Sequence, residues 1–390
     1  MSDFWQLHNL VECLDKSGLL DDARLEKVHQ LANQPNTSVG ALLSVLVKSQ
    51  WLTSFQSRQL RRGRWRGFRL GQYRILRPLS SGGIGIVFWA RHCVTGRDVA
   101  IKVLRSQHRS KTKFRERLKL EALALSLLQH KNIVRAAEAN PLAETDYCLN
   151  YLVMELVPGP TLRELLVARK KLRWQQVCDF FLQAARGLKY AHQQGFILRD
   201  IKPDYLIIFS DGTVKLLDFG FAKYDGDLPE FESPPGRRVG TAGYIAPELL
   251  LDQQEPCAQT DLYSLGCTFY VALTGNHPFP GKTREDRIDA QLDGRFRSVS
   301  YWNPDVPRPV AELVERMIRK SRFERIATID EVIDSLSPYA QRDCVDMCFK
   351  SLVIARDRAR NLRNARNRSI ENQKFLSDVS RHLSFEDSAD

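Results

Sequence analysis

Two short polar motifs constrain the fold of this chain more than any other feature. The hexapeptide Leu198–Pro203, which contains Asp200 and Lys202, is followed after an apolar run by the tripeptide Asp218–Gly220. Phosphoryl transfer from ATP requires a carboxylate at the acceptor hydroxyl, a cation on the transferring phosphate and a carboxylate on the metal ion. We therefore predict that Asp200 orients and deprotonates a hydroxyl, that Lys202 contacts the phosphate and that Asp218 holds magnesium.

Length and charge limit the class of protein. The chain has 390 residues, of which 43% are hydrophobic, so it can form a large core and is not globally disordered. Part of the net charge of +12 lies in residues 56–74, with seven Arg and no acid, and in residues 105–119, with seven Lys or Arg and one acid. Two interpretations of these basic segments are open. They bind phosphate groups or acidic partners, or they form a solvated basic surface without a partner. Base-stacking aromatics are sparse in residues 56–74, so nucleic acid is not an expected partner.

The cysteine pattern and the N-terminal residues indicate in which cellular compartment the protein is expected. None of the eight cysteines forms a Cys-x-x-Cys pair or has zinc-site spacing. A reduced, cytoplasmic protein is the simplest interpretation. The first residues lack the basic and apolar regions of a signal peptide, and no uncharged apolar window approaches about 18 residues, so no membrane segment is expected.

Residues 1–70 are predicted to form a small helical module. Apolar residues recur at helical spacing from Leu7 to Leu14, from Leu25 to Leu31 and from Ala41 to Val47. Thr53 with Gln56 has the pattern of a capping box that opens a fourth helix. Because no cluster of titratable residues lies in this region, we expect a packing or partner-binding module.

The order of elements beyond residue 70 predicts an α+β fold with two lobes. Short apolar runs at 73–76, 86–90, 99–104 and 150–156 predict strands, and residues 114–128 have helical periodicity. Helical patterns dominate after residue 161, which places a hinge near residues 155–159. Residues 339–390 are expected to form a helical, Arg-rich tail.

A glycine-rich turn and a lysine add to the predicted phosphate site. Ser80–Gly85 contains three glycines, which allow backbone N–H groups to approach phosphate oxygens, although a plain hairpin fits this turn equally well. Lys102 ends the apolar strand that begins at Val99. It can reach the nucleotide phosphates if a carboxylate holds it, and Glu121 on the next helix is the best candidate.

Taken together, these motifs resemble those of a eukaryotic-type serine/threonine protein kinase domain, over residues 73–338. The set is completed by Ala246–Glu248. The resemblance implies a small β-rich N-lobe with one key helix and a larger helical C-lobe. It also implies ATP and Mg²⁺, or Mn²⁺, as cofactors and protein substrates as partners. Residues 1–70 look like the helices that precede many planctomycete bacterial kinases, and they could bind a partner.

The resemblance also implies roles for individual residues. Asp261 would brace the catalytic loop, and Arg325 would pair with Glu248. Met154 would be the gatekeeper, and the backbone of Glu155 and Val157 would hold adenine. The implied ATP-binding set is Ser80, Gly82, Gly83, Gly85, Val87, Ala100, Lys102, Glu121, Met154, Glu155, Val157 and Ile207.

Three positions depart from the kinase pattern. Ser80 replaces a glycine, Leu198 replaces a histidine, and Tyr205 replaces the metal-binding asparagine. The last change removes an amide oxygen from the metal site and should weaken turnover, unless Asp204 reaches the metal through a water. Two hypotheses follow: a serine/threonine kinase weakened by Tyr205, or a pseudokinase that binds nucleotide and acts as a signalling scaffold.

The segment after Asp218–Gly220 contains a candidate switch. In similar kinases the Arg that precedes the catalytic Asp, here Arg199, helps to bind a phosphate on this segment. Ser233 is the best placed hydroxyl, eight residues before Thr241. Alternatively, Glu230 or Glu232 already supplies the negative charge. Thr241, before Ala246–Glu248, favours serine and threonine as acceptors by resemblance.

Overall fold

The structure is a computed structural model that describes residues 6–82, 84–109, 111–138, 142–144, 150–169, 172–225, 240–251 and 255–345. Its described residues divide into two compact units. Unit 1 takes its described residues from 1–115 and 142–156, and unit 2 takes them from 116–141 and 157–352. The division after residue 156 agrees with the predicted hinge position.

Unit 1 begins with the four predicted helices, each preceded by a polar residue. Three of these residues cap their helices, because the side chains of Asp21, Ser38 and Thr53 each accept a hydrogen bond from the backbone three residues on. Thr53 and Gln56 form both hydrogen bonds of a capping box, as predicted. The helices are α1 (Leu7–Asp15), α2 (Asp22–Ala32), α3 (Val39–Lys48) and α4 (Ser54–Leu60).

The rest of unit 1 is dominated by a six-stranded antiparallel sheet. Its strands are ordered β1-β2-β3-β4-β6-β5, so the central strands are the apolar runs recognised in the sequence. A short helix, α5 (Ser106–Arg109), follows the fourth strand. The strands are β1 (Arg69–Leu70), β2 (Tyr73–Ser81), β3 (Gly85–His92), β4 (Asp98–Leu104), β5 (Leu142–Glu144) and β6 (Asn150–Glu155).

The start of α4 is joined to this sheet by two side-chain hydrogen bonds, one buried and one partly buried. The Gln56 amide donates to the carbonyl of Ile75 at 2.7 Å, and the Thr53 hydroxyl donates to the carbonyl of Leu76, also at 2.7 Å. Gln56 is almost fully buried. The capping box of α4 therefore also satisfies carbonyl groups of β2. The helices α1–α4 and the sheet thus belong to one compact unit. The separate domain predicted at residues 1–70 stays a prediction.

Unit 2 is mainly helical. Its core is built around the helices at Trp174–Gln193 and Ala258–Thr274, where Phe181 and Phe269 are fully buried and stack with ring centroids 4.3 Å apart. The helix α6 (Thr112–Leu127) contains the division between the units. The others are α7 (Leu162–Arg169), α8 (Trp174–Gln193), α9 (Pro247–Leu250), α10 (Ala258–Thr274), α11 (Arg284–Asp293), α12 (Val299–Trp302), α13 (Arg308–Met317) and α14 (Ile329–Leu336).

Two small antiparallel pairs of strands complete unit 2 and hold its polar loops. One pairs β7 (Phe196–Ile197) with β10 (Lys223–Tyr224), and the other pairs β8 (Leu206–Ile208) with β9 (Val214–Leu216). Of these four strands, only β9 is recognisable in the sequence, as the apolar run before Asp218. Strands of two or three residues are too short to show a periodicity.

The start of the C-terminal tail differs from the prediction. Residues 340–345 are not helical, although a helix was expected from residue 339. Their backbone instead bonds to other parts of unit 2, because the N–H of Gln341 donates to the carbonyl of Gln175 and the N–H of Val345 donates to the carbonyl of Ser210. Tertiary hydrogen bonds thus replace those that a helix would form. The remainder of the tail, residues 346–390, lies outside the described residues.

The strand-rich unit 1 and the helix-rich unit 2 agree with the predicted α+β class. Among the described residues, no helix combines the length and the apolar character that a membrane crossing requires.

Replacing Gln56 with alanine should destabilise the chain. The change leaves the carbonyl of Ile75 and the N–H of Thr53 without their present partners, so we expect the free energy of unfolding to fall by about 1–3 kcal/mol. Urea denaturation followed by circular dichroism measures the effect. The matched control is Gln34→Ala, at an exposed position, which should change stability by less than about 0.5 kcal/mol. Equal stabilities for the two variants would contradict a bracing role for Gln56.

Candidate functional site

A buried aspartate on α10 holds the backbone of the loop that carries Asp200. The carboxylate of Asp261 is fully buried and accepts hydrogen bonds from the N–H groups of Leu198, at 2.8 Å, and Arg199, at 2.7 Å. His192 Nε2 lies 2.8 Å from the same carboxylate. Arg199 has a φ of 66°, which a residue with a side chain rarely adopts. The bonds to Asp261 stabilise this strained turn, and the turn sets the direction of Asp200.

Asp200 lies in a small network of polar groups. Its carboxylate accepts a hydrogen bond from the ammonium of Lys202 at 2.9 Å and from the backbone N–H of Thr241 at 2.8 Å. The hydroxyl of Thr241 lies 2.6 Å from Lys202 Nζ and 3.3 Å from the Asp200 carboxylate. A carboxylate and an ammonium group therefore lie side by side, and the hydroxyl of Thr241 contacts both.

Tyr205 connects this network to Asp218. Burial raises the pKa of its phenol, and the carboxylates of Asp218 and Asp200 raise that pKa further. The phenol stays protonated, so it donates its hydrogen bond to the carboxylate of Asp218. The ring of Tyr205 also lies 4.2 Å from Lys202 Nζ, a cation–π contact. A hydrogen-bond donor thus stands where the kinase pattern has a metal-binding oxygen.

Asp218 projects from a turn directly after β9. Its φ is 65°, in the left-handed region, and its carboxylate accepts a hydrogen bond from the N–H of Gly220 at 3.2 Å. The side chain of Phe219 is fully buried beside it. The N–H of Leu217 donates to the carbonyl of Tyr205 at 2.8 Å, so the two loops are bonded to each other. This backbone bond fixes the position of Asp218 relative to Tyr205.

Asp204 is engaged elsewhere. Its carboxylate forms an ion pair with Arg163 at 2.7 Å, and Arg163 also contacts the phenol of Tyr244. The suggestion that Asp204 reaches the metal through a water is therefore not favoured. Its carboxylate already serves an ion pair on the surface of unit 2.

The segment that carries Thr241 is anchored by a buried ion pair. Arg325 donates two hydrogen bonds to the carboxylate of Glu248, at 2.9 and 2.7 Å, in the bidentate geometry that guanidinium groups favour. The hydroxyl of Thr260 donates to the same carboxylate at 3.2 Å. Both partners of the ion pair are buried, and the structure brings them together as the resemblance implied.

Arg199 contacts the start of the same segment. Its guanidinium donates to the carbonyl of Phe221 at 2.6 Å and to that of Ala222 at 3.1 Å, and burial lowers its pKa. Ser233, the predicted phosphorylation switch, lies outside the described residues, as do Glu230 and Glu232. The switch stays a prediction.

In unit 1 the glycine turn forms the end of the β2–β3 hairpin, next to Ser80. The N–H of Gly82 donates to the carbonyl of Gly85 at 3.0 Å. A side chain could not replace the hydrogen of Gly85, because a Cβ there would lie 2.6 Å from the carbonyl oxygen of Val103. The guanidinium of Arg105 donates to the carbonyl of Gly82 at 2.9 Å and to the hydroxyl of Ser81 at 2.8 Å. Gly83 lies outside the described residues.

The remaining predicted nucleotide-binding residues fall into two groups. One group lies on the paired strands β3, β4 and β6 of unit 1, and the other lies in unit 2. On the sheet Val87 is paired with Lys102, Ala100 with Met154, and Val99 with Glu155. In unit 2, Glu121 lies buried on α6, Val157 is buried after β6, and Ile207 is buried in β8. The predicted pairing of Lys102 with Glu121 stays a prediction.

Sequence reasoning missed three side chains that support the site. His192 contacts Asp261, Arg163 binds Asp204, and Arg105 holds the glycine turn. Each of these contacts joins residues at least 23 positions apart in the chain. No local pattern distinguishes such residues from solvent-exposed ones.

Comparisons with known proteins identify a family and curated relatives. Residues 73–336 match the family model described as "Protein kinase domain". Serine/threonine-protein kinase PrkC of Bacillus subtilis is 31% identical over 262 residues, which cover 67% of this chain and 39% of the relative. Serine/threonine-protein kinase PknA of Mycobacterium tuberculosis is 35% identical over 260 residues, which cover 64% of this chain and 57% of the relative. The chain therefore matches less than two thirds of the length of these relatives.

Removing the guanidinium of Arg325 should strongly destabilise unit 2. Arg325→Ala leaves the carboxylate of Glu248 buried without its cation, so we expect the free energy of unfolding to fall by about 3–5 kcal/mol. Urea denaturation measures the loss. Arg295→Ala is the matched control, because the side chain of Arg295 is 87% exposed and its removal should change stability by less than about 0.5 kcal/mol. A loss for Arg325→Ala no larger than that of the control would contradict the anchoring role.

Proposed function

Because the chain belongs to the protein kinase domain family, we propose that it is a serine/threonine protein kinase. It transfers the γ-phosphate of ATP to serine and threonine hydroxyls of proteins. The observation that supports this proposal most is the hydrogen-bonded network of Asp200, Lys202 and Thr241. This network provides both a base and a cation for the transfer.

In the proposed reaction the carboxylate of Asp200 accepts the proton of the acceptor hydroxyl. The hydroxyl oxygen forms a bond to the γ-phosphorus as the bond between that phosphorus and the bridging oxygen of ADP breaks. Lys202, with its ammonium 2.9 Å from the carboxylate, stabilises the negative charge that moves through the transition state. Asp261 acts as a positioning residue, because it holds the consecutive N–H groups of Leu198 and Arg199 that lead into the turn.

The family uses ATP and a divalent metal ion, which we propose to be Mg²⁺ with Mn²⁺ as an alternative. When bound, such an ion neutralises charge on the phosphates. Among the described residues no group of three or more His, Cys, Asp or Glu could hold a metal ion alone. Mg²⁺ is commonly held by one or two carboxylates together with substrate phosphates, so Asp218 fits one ion. Tyr205 does not fit as a further ligand, because its phenol donates to Asp218.

We propose that unit 1 contributes its glycine turn and Lys102 to binding the phosphates, and that the backbone at Glu155 and Val157 holds adenine. The support is the family motif positions of these residues and the register that aligns Lys102 and Glu155 on one sheet. The bonds of Arg105 to the glycine turn restrain a loop in which Ser80 has replaced a glycine.

The proposal also covers the cellular compartment and the binding partners of the protein. The six cysteines within the described residues, Cys13, Cys93, Cys178, Cys257, Cys267 and Cys344, are free thiols, which supports a reducing compartment such as the cytoplasm. The helices α1–α4 resemble those that precede planctomycete kinases and offer a surface for a partner. Protein substrates are expected, and nucleic acid is not.

A second candidate is a pseudokinase scaffold, which the bond between Tyr205 and Asp218 favours. Against it, Asp200 and Lys202 are present and correctly hydrogen-bonded. The first candidate therefore remains the better supported one.

An assay with radiolabelled ATP tests the proposed activity. We expect phosphate transfer to a degenerate serine and threonine peptide library with Mg²⁺ or Mn²⁺, and at least a 100-fold lower rate for Asp200→Asn, because a general base contributes about that much. The rate is measured with both metals, alongside a thermal shift with Mg-ATP. A positive thermal shift without any transfer would support the scaffold. The absence of both would exclude both candidates.

Replacing Tyr205 with asparagine should raise the activity. The change supplies an amide oxygen to the metal site and removes the donor that binds Asp218, so we expect kcat to rise about tenfold. Steady-state kinetics with varied Mg²⁺ measures the effect. Tyr205→Phe is the matched control, because it removes the hydroxyl without adding a ligand and should change kcat by no more than about twofold. An asparagine variant no faster than the parent would show that Tyr205 does not limit the rate.

A further inference from the structure

A basic cavity adjoins Thr241. Its volume is about 390 Å³, and it is lined by residues 240–242 and, around the start of α11, by Lys282, Thr283, Arg284 and Arg287. This volume is large enough for an amino-acid side chain. None of the residues that form it has been assigned a role in phosphate transfer, apart from the contact that Thr241 makes with Asp200.

The three cationic side chains are available for a ligand. All are exposed, and none forms an ion pair with a described residue. Arg287 donates through Nε to the carbonyl of Gly281 at 3.1 Å, which fixes its position at the cavity. The described lining of the cavity contains no carboxylate.

The nearby Asp286 keeps its negative charge, because backbone hydrogen bonds lower the pKa of its carboxyl group, but the carboxylate forms no ion pair with Lys282, Arg284 or Arg287. Asp286 accepts hydrogen bonds from the N–H groups of Lys282, at 3.0 Å, and Thr283, at 2.9 Å. It therefore acts in the capping box of α11. The two other acids at this end of the helix, Glu285 and Asp289, are exposed and do not line the cavity.

The pKa of a neighbouring histidine, His277, is affected by the same positive charge. Burial lowers the pKa of His277 to about 4, with a further contribution from the charge of Arg287. The ring of His277 packs edge-on against Tyr244, at a centroid distance of 4.9 Å. His277 is therefore neutral near pH 7 and adds no further positive charge, and the cationic side chains that line the cavity are Lys282, Arg284 and Arg287.

The cavity is also close to the reacting groups. Thr241 lines it and contacts Asp200 through its backbone N–H at 2.8 Å. An extended peptide advances by about 3.3–3.6 Å per residue. A substrate whose hydroxyl lies at Asp200 can therefore reach the cavity with a side chain only a few positions away.

We propose that this cavity selects protein substrates that carry a carboxylate side chain, Asp or Glu, within three residues of the phosphorylated hydroxyl. The proposal rests on the proposed kinase activity and names the substrate class of the same site. Lys282, Arg284 and Arg287 are the specificity-determining residues. Because all three are exposed, the selection depends on ionic strength.

Peptide kinetics with the full chain test this selectivity. The probes are peptides with one serine acceptor and a Glu or a Gln at each of the three positions on either side. We expect the best Glu peptide to have about a tenfold higher kcat/KM than its Gln counterpart, and the advantage to shrink in high salt. In the triple variant with Lys282→Gln, Arg284→Gln and Arg287→Gln, the ratio should fall to about twofold or less.

The matched control is the double variant Arg295→Gln with Arg308→Gln. Both side chains are exposed in unit 2, at 87% and 88%, and each pairs with an acid close in sequence. This control should keep the tenfold ratio. A wild-type chain that phosphorylates Glu and Gln peptides equally would overturn the inference, and so would a triple variant that retains the preference. Neither result would affect the proposed kinase activity.

A binding measurement decides the case in which no peptide is phosphorylated. That result would remove the proposed activity, but the cavity can still be tested by fluorescence anisotropy with the same labelled peptides. Binding of the Glu peptide about tenfold more tightly to the wild-type chain than to the triple variant would support the carboxylate site. Equal binding to the two proteins would overturn it.

Discussion

The buried carboxylate of Asp261 is the interaction on which the arrangement of the active site depends. It satisfies the N–H groups of Leu198 and Arg199, which the left-handed turn at Arg199 would otherwise leave unpaired in the interior. An unpaired buried donor costs about 1–3 kcal/mol, so two bonds of this kind stabilise a conformation that the local sequence does not favour. The direction of Asp200, and hence its bond to Lys202, follows from that turn.

Tyr205 shows how one substitution changes a metal site without disturbing its surroundings. The phenol bonds to Asp218, and its ring supports Lys202, so the loop keeps a packed and hydrogen-bonded structure. The chemistry of position 205 changes, because the kinase pattern has an asparagine oxygen that binds a metal ion, whereas the phenol of Tyr205 donates a hydrogen bond to a carboxylate. Under the proposed function, Asp200, Lys202 and Asp218 would supply the base, the cation and one metal-binding carboxylate. The site would then use fewer protein ligands for the metal ion than the kinase pattern provides.

Much of the fold could be predicted because its elements have strong local patterns. The helices α1–α4 show apolar periodicity, and the central strands of unit 1 are continuous apolar runs, so their positions were predicted to within a few residues. The kinase fold implied by the motifs is confirmed by the family match over residues 73–336. The short strands of unit 2 and the course of residues 340–345 could not be predicted, because they are held by hydrogen bonds to distant parts of the chain.

The sequence by itself determined the family, the order of the elements and the identity of the charged residues, because these depend on residue types at fixed spacing. Only the tertiary structure decided how those residues interact. It placed Asp204 on Arg163 and joined the capping box of α4 to β2. It also brought the cationic start of α11 beside Thr241. Each of these contacts joins segments separated by many residues, and such contacts form through packing of the whole unit, which no local pattern records.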